Sequence, residues 1–132
     1  MAFRFEFDKA NRILLVRVEG RLSDKLLAEC YEAIRKYSIA TDARASIFDF
    51  SSVTEFAVST DLIRQLARRE PAMQDAAVRP RIIAVEGALG FGLARMFQIA
   101  GESSRPLLQV VHSVDEALAT LGTKSLNFEP LE

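Results

Sequence analysis

Three residues whose side chains exchange protons, Asp49, Glu86 and His112, stand at or near the C-terminal ends of three apolar runs that read as strands. Open α/β sheets bind their ligands beyond those ends. A carboxylate beside an imidazole could do acid–base work there. The simpler reading of Asp49 is a turn cap acting through Ser51 or Ser52. His112 is the only histidine, and neither a G-x-S-x-G elbow nor a metal-ligand spacing accompanies it. The expectation is a non-catalytic domain, with no metal and no cofactor assigned.

Ser59 and Thr60 precede the apolar-periodic run Leu62, Ile63, Leu66. Either hydroxyl can accept from an orphan amide of a helix's first turn. The same place favours an added phosphate, because the helix start is electropositive. Both readings stand, as cap and as phosphorylation candidate. Gly87, Gly90 and Gly92 lie between a strand and a helix, where their amides could cradle an anion. Their spacing, G-x-x-G-x-G, matches neither the dinucleotide fingerprint nor a P-loop. The plainer reading is a supple turn that lets Phe91 pack.

Cys30 falls on an apolar helical stripe, which makes it a buried, inert thiol. Arg64, Arg68, Arg69, Arg79 and Arg81 make a locally basic stretch, with Asp61 and Glu70 nearby. It reads as a solvated face, or as a docking patch for an acidic partner. Phe91, Leu93, Met96, Phe97 and Ile99 make the following helix apolar on more than one face, with Arg95 among them. Core packing accounts for part of this. The excess suggests a homodimer surface or the wall of an apolar ligand cavity. The expected partner or ligand surface joins Asp49, Ser51, Ser52, Phe56, Arg64 and Arg68 to Phe91, Arg95, Met96 and Phe97.

The elements that position these groups follow from the pattern. Phe3, Phe5 and Phe7 alternate with charged residues, as in a half-buried strand. A polar loop, Asp8–Arg12, leads to the apolar run Ile13–Val18, and together they predict an antiparallel hairpin. Gly20 is expected to break that second strand. Ser23 caps a helix predicted to about Tyr37, with Leu26, Leu27, Cys30, Tyr31 and Ile34 on its stripe. Ala45–Phe50 is the third strand, Ser51–Ser59 a loop, and Thr60–Arg69 the second helix, stopped by Pro71. Arg81–Glu86 is the fourth strand. Leu93–Ala100 is the third helix, which Gly101 ends. Leu107–Val111 is the fifth strand. Ser113 and Glu116 form a capping box for a last helix that ends at Gly122. The order β-β-α-β-α-β-α-β-α predicts an α/β domain over residues 1–122 with a mixed, mostly parallel sheet. Residues 123–132 form a C-terminal tail, in which Leu126 and Phe128 are placed to dock.

Composition narrows the function. The chain has 132 residues, room for one domain rather than two. Its 17 basic and 18 acidic residues nearly balance, which argues against a nucleic-acid binder. One cysteine precludes an internal disulfide and fits a reducing compartment. No apolar run reaches the ~18 residues that span a bilayer. The expectation is a cytoplasmic protein that does not insert into membranes.

Several segments together carry a resemblance. Ile13–Leu22 reads ILLVRVEGRL, Ala45–Val53 reads ASIFDFSSV, Phe91–Gln98 reads FGLARMFQ, and Val114–Leu121 reads VDEALATL. In this order, from about Phe3 to Gly122, they resemble the STAS domain (sulfate transporter and anti-sigma factor antagonist). The match is to its SpoIIAA-like branch, related to lipid-binding Sec14-type folds. The resemblance implies a regulatory or protein-interaction module, with a kinase, a regulator or a second copy as partner. It places the phosphorylated serine at Ser59, or Thr60. The chain departs there, reading Ala57-Val58-Ser59-Thr60-Asp61 where the antagonists read roughly Asp-Ser-Ser-Gly. Asp61 would repel an added phosphate. The Sec14 relationship implies the other reading, a lipid or other apolar small molecule between the third helix and the sheet. A small hydrolytic or acid–base enzyme is the third.

Overall fold

The computed structural model describes residues 2–71, 78–123 and 126–131. The alternating phenylalanines form β1, Phe3–Asp8, which pairs antiparallel with β2, Ile13–Ser23. Their registry sets Phe5 opposite Val16. Asp8 closes the hairpin by accepting from the amides of Ala10 and Asn11 at 3.0 and 3.2 Å.

The Ser23 hydroxyl accepts from the Leu26 amide and opens α1, Asp24–Thr41. This helix runs one turn past Tyr37 and ends at Asp42, whose φ of 50° is left-handed. β3, Ala45–Ala57, lies parallel to β2. α2, Thr60–Arg68, follows. β4, Arg81–Ala84, and β5, Leu108–Val111, extend the parallel sheet, with α3, Ala88–Ala100, between them. α4, Val114–Leu121, and the two-residue β6, Glu129–Pro130, complete the described chain. The six-stranded sheet has the order β5-β4-β3-β2-β1-β6, so the expected mixed, mostly parallel α/β fold is the one observed.

Strand alternation divides the core between two faces. Leu14, Val16, Val18 and Leu22 of β2 face α1 with Phe5 and Cys30. Ile13 and Leu15, with Ala45, Ile47, Ile82 and Ala84, face α4 through Ala117. Leu126 and Phe128 pack on that second face, and β6 pairs with β1. The C-terminal segment thus docks and adds a sixth strand to the expected five.

Three local expectations differ from the structure, each for a physical reason. Gly20 does not end β2: it takes φ 77° within the strand, beside a register shift between Gly20 and Arg21. Such irregularities bend a strand without ending it. β3 continues through most of the expected loop, pairing Glu19 with Ser52 and Leu22 with Phe56. The stretch Val53-Thr54 favours that extended backbone. α3 begins at Ala88, so Gly90 and Gly92 lie inside the helix despite their low helix propensity.

Candidate cavity with a cationic floor

The alternation that sends Ile47 and Asp49 to the α4 face sends Phe48 and Phe50 to the other. There they meet Ile83 and Val85 of the β4 segment and Leu108 of β5. Leu27, Tyr31 and Ile34 of α1 form one wall, and Ile63 and Leu66 of α2 a second. Leu93, Ala94 and Phe97 of α3 form the third, with Phe56 and Val58 at its edge. These side chains leave a cavity of about 120 Å³ between the sheet and three helices.

Gly90 fixes how closely α3 approaches. A Cβ there would lie 2.7 Å from the Phe56 ring and 2.7 Å from Val85 Cγ2. Only a residue without a side chain permits this contact. Gly87, φ 83°, is the helix N-cap and makes no side-chain capping bond.

Two arginines interrupt the apolar lining. Arg105 is 2% exposed, and both its Nη1 and its Nη2 are engaged. Nη1 donates to Ala67 O at 2.7 Å and Ser104 Oγ at 3.2 Å. Nη2 donates to Tyr31 OH at 2.9 Å, Leu66 O at 3.0 Å and Arg69 O at 3.1 Å. Three of these acceptors are carbonyls at the C-terminal end of α2, which a cation satisfies and whose dipole it complements. The guanidinium also stacks over Phe97, 4.8 Å from the ring centroid.

Arg81 differs. It is 3% exposed, and its Nε and Nη2 have no hydrogen-bond partner. Burial depresses its pKa to about 10, and the charge of Arg105 acts in the same direction. It still carries its proton at neutral pH. Among the described residues, neither Arg81 nor Arg105 forms an ion pair with a carboxylate.

The residues singled out in the sequence are scattered. Phe56 and Phe97 line the cavity, and Phe91 joins the cluster beside it. Met96 is half-buried; Arg95 is exposed and bonds to Gln98. Arg64 and Arg68 are exposed on α2, with Arg64 4.0 Å from Asp61. Asp49 is buried on the opposite face of the sheet, where it accepts from Arg17 at 3.2 Å. It also accepts from the Ser51 amide and hydroxyl at 2.9 and 2.6 Å, so its turn-capping bond to Ser51 forms within β3. Ser51 and Ser52 are exposed.

Ser59 is the N-cap of α2: Oγ accepts from the Leu62 amide at 3.1 Å. Its own amide donates to Asp24 Oδ1 at 2.6 Å. Thr60 is exposed. The His112 ring stacks on Phe91, with centroids 4.4 Å apart, and hydrogen-bonds neither Asp49 nor Glu86. Glu116 reaches past its capping-box partner to accept from the His112 amide at 2.9 Å. Burial pushes the Cys30 thiol up to about 12. Of the basic stretch, Arg79 pairs with Asp42 at 2.8 Å, whereas Arg81 is in the core rather than on a solvated face.

Sequence reasoning did not select Tyr31 or Arg105 as site residues, and read Arg81 as part of a surface. Arg81 carried one usable signal: it shares strand parity with the apolar Ile83 and Val85, and so with the core. Among the described residues, no group of His, Cys, Asp and Glu could hold a metal ion, and no helix is long and apolar enough to cross a membrane. No protein-family model matches this chain, and no curated protein matches it.

Proposed function

We propose that this domain is a binding module for an apolar small molecule, held between the sheet and α1, α2 and α3. The observation that carries this reading is the cavity itself, walled by Phe48, Phe50, Phe56, Ile83, Leu93 and Phe97. Interiors ordinarily pack to crystal-like density, and an apolar void forfeits the contacts of every side chain around it. A ligand restores those contacts, and apolar cavities of comparable size take up small aromatic molecules. The likeness of the sequence to the SpoIIAA-like branch of STAS domains, related to Sec14-type lipid binders, supports the same reading.

This reading is preferred to a phosphorylation switch at Ser59. The hydroxyl of Ser59 already caps α2, and the Asp24 carboxylate lies against its amide. A phosphate there would meet Asp24 and Asp61, two like charges. Binding without catalysis is preferred because His112 is stacked on Phe91 and Asp49 is committed to Arg17 and Ser51.

The test is titration with the uncharged apolar dye N-phenyl-1-naphthylamine, alongside solvent extraction and mass spectrometry of the purified protein. Wild type is expected to bind the dye saturably. Ala94→Phe, which fills the cavity from α3, is expected to lose binding while keeping its circular dichroism. Ile83→Phe fills it from β4 and serves if the first variant fails to fold. Equal dye binding by a folded cavity-filling variant, or none by wild type, overturns the reading.

A further inference from the structure

We infer that the cavity is built for an apolar molecule ending in a carboxylate, which Arg81 grips through Nε and Nη2; this rests on the binding function proposed above. A buried polar group without a partner is costly, and a buried charge more so. Arg81 is 3% exposed, carries its charge and is among the residues that line the cavity, and its Nε and Nη2 are buried without a hydrogen-bond partner. The pair left unused is Nε and Nη2, one edge of the guanidinium fork. That edge presents two parallel N–H bonds, the geometry that a carboxylate accepts with both oxygens. Arg105 cannot compete for the ligand in the same way, because five acceptors already take up its Nη1 and Nη2 donors. Its charge nonetheless adds to the positive potential at that end of the cavity, since the two guanidinium groups sense one another.

The rest of the lining sets the other end of the ligand. Beyond Arg81, the chain runs through Ile83 of β4 and then Val85 just after the strand, flanked by Phe48 and Phe97. A single cationic floor beneath apolar walls fits a molecule with one anionic end and a hydrocarbon or aromatic body. A neutral alcohol of the same length offers one uncharged acceptor in place of two charged ones, so it leaves one Arg81 donor unsatisfied and the charge unpaired. Recognition by an unpaired buried donor discriminates strongly, because the analogue lacking the acceptor gains nothing to offset desolvation.

The experiment displaces N-phenyl-1-naphthylamine with octanoate, octanol, octyl phosphate and octylammonium, which share one chain and differ in the head. Octanoate is expected to displace the dye at concentrations lower than octanol by about tenfold or more, the worth of a charge-assisted bidentate bond. Octylammonium is expected to be weaker than octanol. In Arg81→Met, which keeps the stem's bulk, octanoate should lose its advantage over octanol. Arg81→Lys keeps the charge without the fork and should retain only part of the advantage. Free Arg81→Met is expected to unfold no more easily than wild type, because it removes an unpaired buried charge; a marked loss of stability would assign Arg81 a structural role instead. Octanoate no better than octanol in wild type overturns the carboxylate assignment and leaves the apolar cavity standing. Octyl phosphate clearly better than octanoate overturns it in favour of a phosphate head. If the dye itself fails to bind, the underlying cavity reading falls, and the carboxylate inference with it.

Discussion

Arg105 donates from Nη2 to the Tyr31 hydroxyl at 2.9 Å, and that hydroxyl donates to Glu70 O at 2.6 Å. One buried relay therefore ties α1, the end of α2 and the segment before β5 at a single point. Arg69 closes over it, 4.9 Å from the Tyr31 ring and 2.6 Å from Glu32. The wall of the cavity and its cationic floor share this junction, so what stabilises the fold here also shapes the site.

Tyr31→Phe leaves Glu70 O without its donor and removes one of five Arg105 acceptors. It is expected to cost about 1–2 kcal/mol, a hydrogen bond to a charged group plus an orphaned carbonyl. Arg105→Met strips the α2 carbonyls of their partner and should cost more, about 3 kcal/mol, since several buried acceptors go unpaired together. Urea unfolding reads both as a lower midpoint at constant slope. Equal midpoints for wild type and Arg105→Met would mean that the relay contributes nothing to stability.

Asp8 joins the two ends of the chain and makes stability depend on acid. Its side chain is fully buried; Oδ2 accepts from Asn11 Nδ2 at 3.0 Å and from the Asn127 amide at 3.1 Å. Burial pushes its pKa up, but hydrogen bonds from Asn11, Asn127 and Ala10 outweigh that and hold it below the usual carboxylate value. A lowered folded pKa means that this stabilisation is complete above the unfolded value and lost as pH falls through the folded one. Asp8→Asn turns a donor toward the donors it met, and is expected to cost about 2 kcal/mol at pH 7. It should also flatten the acid limb of the stability curve below about pH 4. Hydrogen exchange at the Asn127 amide should quicken in the variant. An unchanged acid limb would remove Asp8 as its source.

Much of the fold is legible from local pattern. Phe3, Phe5 and Phe7 alternate, and Phe5 is buried in the strand that alternation predicts. Ser23, Ser59 and Ser113 each cap the helix they precede. What is not legible depends on contacts distant in sequence. Gly90 reads as a turn residue until Phe56 and Val85 are seen against it. Gly20 reads as a break because nothing local shows that the ladder resumes at Arg21 and Glu55.

The cavity follows the same division. Phe97 announces itself as one of the apolar residues in excess of what α3 needs, and Phe56 is already on the expected ligand surface. Arg81 and Arg105 do not, since an arginine in sequence looks like surface, and Tyr31 reads only as one more residue of the α1 stripe. Their meeting requires α1, α2, β4 and the segment before β5 to converge, and no periodicity encodes that convergence.

The two glycines inside α3 separate close packing from helix propensity. Gly92 has open space where a Cβ would sit, so Gly92→Ala should stabilise the helix by up to about 1 kcal/mol. Gly90→Ala gains the same propensity but drives a methyl into the Phe56 ring and Val85 at 2.7 Å. Overpacking of this kind costs about 1–3 kcal/mol, so the net change should be destabilising or near zero. The collision also falls at the edge of the cavity, where Phe56 must swing or α3 must lift. Gly90→Ala should therefore alter affinity for the apolar dye, whereas Gly92→Ala should leave it unchanged. Thermal unfolding and dye titration of the two variants side by side check both halves. Equal stabilisation by the two substitutions would show that α3 does not need its close approach to Phe56.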